Sequence, residues 1–165
     1  MHRLVQTWER CLTRLVLGLA GVAGVGLVGM MLVTVVDVVL RIFKRPLVGA
    51  FDIVCLAGAV TLACALPYTT AVKGHVAIEY FFHKLSRRWR VIVDTISRSI
   101  GIALFCLLAW RFVLYGNSLR VTGEVTPTLE LPLFWVPYLM GFSCAVVALV
   151  IVDNLLHYGK EMIKP

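Results

Sequence analysis

The two longest charge-free stretches of this chain are each long enough to cross a lipid bilayer. Residues 15–36 and 131–152 each run 22 positions without Asp, Glu, Lys or Arg. At about 1.5 Å per residue, such a helix spans a hydrocarbon core of about 30 Å. In lipid each backbone N–H and C=O must be satisfied internally, so both stretches are expected as α-helices. The composition agrees: 60% of residues are hydrophobic and only 15% charged, with a mean hydropathy of +0.90. A soluble domain carries about 25% charged residues and cannot hide this much apolar surface. A soluble enzyme is disfavoured and a disordered chain excluded.

Two further spans are expected, at about 47–72 and 91–115, the terminal two being about 15–36 and 131–156. The first is rich in glycine (Gly18, Gly21, Gly24, Gly26, Gly29), and Ala20 and Gly24 form a small-xxx-small pair, which suits close helix packing. It follows three Arg residues, but it is too long for a signal-peptide core and no clear cleavage site follows it, so it is expected to remain. In the second, Pro67 is expected to kink or end the helix. The third carries Arg98 and Arg111, each expected to snorkel outward, with a re-entrant segment as the alternative. In the fourth, Pro132 suits a first helical turn, and Trp135 and Tyr138 suit an aromatic belt.

Between spans two and three, about 75–90, apolar residues including Phe81 and Leu85 recur every three to four positions among basic ones. This predicts an amphipathic helix lying in the membrane interface. The expected fold is thus an all-α integral membrane protein, one membrane domain over 1–165, with four transmembrane helices and one interfacial helix. Placing the N-terminus inside leaves ten Lys/Arg in inner segments against five in outer ones, which puts both termini in the cytoplasm. The net charge of +7 is then loop charge beside anionic lipid, not a nucleic-acid surface. The five cysteines form no CxxC pair and imply no disulfide framework.

Catalytic signatures are missing: HExxH, P-loop and GxSxG patterns do not occur. No cofactor and no metal is expected. His75, Glu79 and His83 would share one helical stripe, which is either a metal-binding face or, as amphipathicity alone requires, the wet face of the interfacial helix. Asp37 and Arg41 stand four apart near the end of span one, and Asp52 follows across a short loop. They form either a solvated charge cluster or a structural pair in which Arg41 meets Asp52. The segment 123–135 is either a plain loop or a docking surface, with Phe134 and Trp135 as anchors and Glu124 and Glu130 as an acidic rim.

Three pieces together resemble the DctQ family, the small membrane subunit of tripartite ATP-independent periplasmic (TRAP) transporters. One is Asp37-Val38-Val39-Leu40-Arg41-Ile42-Phe43, a short loop, then an acid opening the next span. Another is Lys73-Gly74-His75-Val76-Ala77-Ile78. The last runs from Thr128 through Leu129-Glu130-Leu131-Pro132 to Pro137-Tyr138. One departure is Asp52, where the family usually has Glu. The resemblance implies a non-enzymatic subunit in the bacterial inner membrane. Its partners would be a large transport subunit of about 12 spans and a periplasmic substrate-binding protein, in sodium-coupled uptake of an organic acid such as a C4-dicarboxylate or a sialic acid. It would brace the large subunit and help dock the binding protein, with Arg41, Asp52, Gly74, His75, Phe81, Leu85, Glu124, Glu130, Pro132, Phe134, Trp135 and Tyr138 as interface candidates. The chain's end at Pro165 is expected to leave the large subunit as a separate chain. The alternative from the residues is a stand-alone homo-oligomeric channel or carrier, and a weaker one is a membrane haem or redox protein.

Overall fold

The computed structural model describes residues 2–72 and 87–156, with side chains at position 8 and over 10–72 and 95–153. Four α-helices make up the described fold: α1 (His2–Ile42), α2 (Ala50–Ala71), α3 (Arg87–Thr122) and α4 (Trp135–Leu156). Each contains a segment long and apolar enough to cross a membrane. No named strand occurs among the described residues, and one isolated antiparallel bridge joins Val125 to Pro132.

The helices pack in the order α1–α2–α4–α3, with α2 and α4 central. Small residues set this order by letting backbones approach. A Cβ added at Gly141 of α4 would stand 3.3 Å from the Ala109 carbonyl oxygen and 3.4 Å from Phe112 Cβ. Ile151 faces Gly101, and the Tyr138 ring faces Gly116, so α3 and α4 run antiparallel in a fixed register. Between α1 and α2 the approach is at Gly26, against Thr61 and Ala57. At Gly24 of the Ala20/Gly24 pair, nothing among the described residues lies within 4 Å of an added Cβ. Farther toward the start of α1, Leu12 and Val16 pack with Ala71 of α2 and with Val146 and Val150 of α4. The outer helices stay largely uncovered: only 6% of the apolar window of α1, and of α3, is buried, against 44% of that of α4.

Three alternatives are decided or corrected. Helix α2 passes through Pro67 and ends at Ala71, so of the two outcomes expected at Pro67 the early end does not occur. Thr69 and Thr70 donate their hydroxyls back to the carbonyls of Ala65 and Leu66 in the turn that follows the proline. Helix α3 is one unbroken element of 36 residues, so the re-entrant alternative fails. Helix α4 begins at Trp135; Pro132 is not in its first turn but in the bridge with Val125. A proline lacks the N–H that a ladder needs, and an isolated bridge at a loop edge tolerates that loss. Of the expected interfacial helix, residues 75–86 lie outside the described residues, and 87–90 belong to α3.

Candidate functional site

The end of the bundle where α1 and α3 finish and α2 and α4 begin gathers two buried carboxylates and two structured loops. Helix α1 closes with a turn in which Arg45 N–H donates to the Leu40 carbonyl and Lys44 N–H to the Arg41 carbonyl, both at 3.0 Å. This is the Schellman pattern, and its left-handed position is usually glycine. Here Lys44 fills it at φ 57°. Asp37, one turn back, holds this loop: its Oδ2 accepts from Arg41 Nε at 2.8 Å and its Oδ1 from Leu47 N–H at 3.0 Å.

Asp52 holds the second loop. It stands in the first turn of α2, where the helix dipole favours an anion, and is only 2% exposed. Its Oδ2 accepts the backbone N–H groups of Thr128 and Leu129, both at 2.9 Å. Bonds to an ionised acceptor are roughly twice as strong as neutral ones. Arg41 therefore does not pair with Asp52, correcting that expectation. A side chain four residues away on the same helix satisfies Arg41 locally, and Asp52 finds amides instead. Nor are Asp37 and Asp52 a solvated cluster, since both are buried.

The loop between α3 and α4 is folded on itself. Thr126 N–H donates to the Leu131 carbonyl at 2.9 Å, Leu131 N–H to Thr126 Oγ1 at 3.0 Å, and Leu133 N–H to the Glu124 carbonyl at 3.2 Å. Thr126 is buried at its centre. Glu130 sits in the left-handed region at φ 53°, and its side chain and that of Glu124 are exposed. Against the start of α2, Leu129 fits the space left by Gly49 (φ 81°). Behind the loop, Phe134 and Tyr138 meet edge to face, with ring centroids 6.5 Å apart and planes at 75°. The Tyr138 hydroxyl donates to Asn117 Oδ1 at 2.6 Å, tying α4 to α3.

The structure thus brings Asp52 together with the loop that carries Glu124, Glu130 and Pro132, and sets Phe134, Trp135 and Tyr138 directly behind it. Arg41 lies in the last turn of α1, beside the neighbouring loop. Gly74, His75, Phe81 and Leu85, with the His75/Glu79/His83 stripe, fall outside the described residues. Among the described residues no group of three or more His, Cys, Asp or Glu could hold a metal. Sequence reasoning missed the holding roles of Asp37, Gly49 and Thr126. The one available signal was the Thr-Pro-Thr run at 126–128, a turn-forming stretch.

The family model for the DctQ component of tripartite ATP-independent periplasmic transporters matches residues 30–158, more than half of the chain and all of this end of the bundle. The chain belongs to the DctQ family. As a DctQ component it is the small membrane subunit of a TRAP transporter, which also comprises a large membrane subunit and a substrate-binding protein. Searches among curated proteins and solved structures return no significant match. The DctQ match includes both holding carboxylates, Asp37 and Asp52, and the whole loop that Asp52 fastens.

Proposed function

We propose that this subunit is a non-catalytic scaffold in the bacterial inner membrane, with both termini in the cytoplasm. It braces the large subunit while that subunit takes up an organic acid, of C4-dicarboxylate or sialic-acid type, together with sodium. Its 123–134 loop helps dock the periplasmic substrate-binding protein. The observation that carries this reading is the Asp52 clasp: a buried carboxylate holds two amides of an otherwise surface loop, so the loop is a fixed shape, not a tether. A fixed loop pre-organises an interface and lowers the ordering cost of binding. Glu130 supports the same reading, because a non-glycine residue held at positive φ is strained, and such strain clusters at functional positions. The bracing role draws support from the uncovered apolar faces of α1 and α3. In the two central helices the Asp, Glu, Lys and Arg residues are Asp52 and Asp153 alone, at opposite ends. That leaves no relay of charged groups through these two helices.

Reconstitution tests this. Proteoliposomes holding the chain alone are expected to move no solute. Sodium-dependent uptake is expected only with the large subunit and the binding protein present. Asp52→Ala, or Glu124→Lys with Glu130→Lys, is expected to weaken stimulation by the binding protein while the two membrane subunits still co-purify. Uptake by the isolated chain, or unchanged stimulation in both variants, would overturn the reading.

A further inference from the structure

Helix α3 carries a cation, Arg111, inside its apolar span, Thr95–Thr122. The turn of α3 that contains Arg111 packs on Gly141, through Ala109, Phe112 and Val113. Gly141 stands about 9 Å inside Trp135 and about 18 Å from Asp153, at 1.5 Å per residue, and these two residues bound the apolar window of α4. Arg111 shares that depth. Side chains on a helix lean toward its N-terminus, so Arg111 leans away from the nearer boundary, at the loop end. The opposite boundary, near Arg98, is about 20 Å off along the helix, beyond the reach of a side chain. Snorkelling, the expectation from sequence, does not suit this geometry.

Arg111 is exposed, and among the described residues it has no hydrogen bond or ion pair. Its neighbours form a stripe. Ile100 (63% exposed), Leu104 (53%), Leu107 (60%) and Leu114 (46%) repeat at the three- and four-residue spacing of a helix-packing seam, and Arg111 occupies the same face. The other face of α3, with Gly101 and Gly116, is the one packed on α4. An uncompensated arginine in hydrocarbon is expensive, and intramembrane cations pair with acids or line protein surfaces.

We propose that this stripe is the seam on which the large membrane subunit docks, and that Arg111 meets an Asp or Glu side chain on a membrane helix of that subunit. The inference rests on the scaffold reading above and adds the face, the partner's chemistry and the register. A single charged residue in an apolar seam fixes how two helices align, so Arg111 sets the height at which the two subunits join.

The test uses the full chain co-expressed with the large subunit. A photo-crosslinking residue at Leu107 or Leu114 is expected to capture the large subunit. Arg111→Glu is expected to weaken co-purification roughly a hundredfold or more, the loss seen when a buried pair loses one partner. Arg111→Leu is expected to weaken it as well, while leaving membrane insertion of the chain intact. Second-site suppressors of Arg111→Glu should convert an intramembrane Asp or Glu of the large subunit to Lys or Arg. Should the parent pair co-purify but Arg111→Glu assemble as well as the parent, the seam is wrong and the scaffold reading stands. Capture of a second copy of this chain, or of lipid alone, at Leu107 and Leu114 would also overturn the seam. Failure of the parent pair to associate at all would overturn both.

Discussion

Gly49 and Gly123 offer a controlled comparison on one molecule. Both hold positive φ, 81° and 67°, so alanine at either position meets the same backbone penalty of about 1–2 kcal/mol. Their surroundings differ. A Cβ at Gly123 meets nothing within 4 Å, whereas one at Gly49 would stand within 2.8 Å of three carbons of the Leu129 side chain. Asp52 holds the Leu129 backbone in place through its N–H, so only a change of side-chain rotamer could relieve the clash. Gly49→Ala should therefore add an overpacking cost of about 1–3 kcal/mol, for a total of about 2–5 kcal/mol against about 1–2 for Gly123→Ala. The assay is equilibrium unfolding in mixed micelles with increasing SDS, followed by tryptophan fluorescence. In a double-mutant cycle, Leu129→Ala should remove the excess in the Gly49→Ala background and leave the backbone penalty. Equal losses for the two glycine variants, or no coupling between positions 49 and 129 beyond about 0.5 kcal/mol, would refute the claim that the loop is seated against the start of α2.

The same unfolding assay checks three other expectations. Lys44→Gly should stabilise the chain by about 1 kcal/mol, since it relieves the left-handed position of the Schellman turn; a loss would mean that the lysine side chain holds the turn. Tyr138→Phe should cost about 1 kcal/mol by deleting the bond to Asn117 while keeping the ring on Gly116, and adding Asn117→Ala should cost little more. Ser143 is fully buried and its hydroxyl has no partner among the described residues, so Ser143→Ala should be neutral or stabilising by up to about 1 kcal/mol.

The residues that declared themselves in the sequence did so through absence of charge. Residues 15–36 and 131–152 could only be membrane helices, and α1 and α4 contain nearly all of them. Asp52 stood out as an acid opening an apolar helix, but its partner did not. Arg41 was the visible opposite charge, whereas the true donors are two backbone amides 76 and 77 residues away, and amides have no signature in a sequence. Pro132 misled for a related reason: the same proline suits a first helical turn and an isolated bridge, and only the folded loop decides between them. The depth of Arg111 was also hidden. A window placed at 91–115 sets it near a boundary, while packing against Gly141 fixes the level of α3 by contact and not by hydropathy. For the candidate site, the loop and its acidic rim were legible from turn-forming and charged residue types, and the clasp that shapes them was not.

The helix order has a consequence for how the chain is made. Helices α1 and α2 are neighbours in sequence and in space, so they can close as a hairpin while later residues are still being synthesised. Helix α3 has no such companion. Its main neighbour is α4, which follows it in the chain, and α4 must enter between α2 and α3. Until residues 128 and 129 emerge, Asp52 lacks the two amides it holds in the finished bundle. The loop after α3 supplies them, and α4 then brings α3 into place.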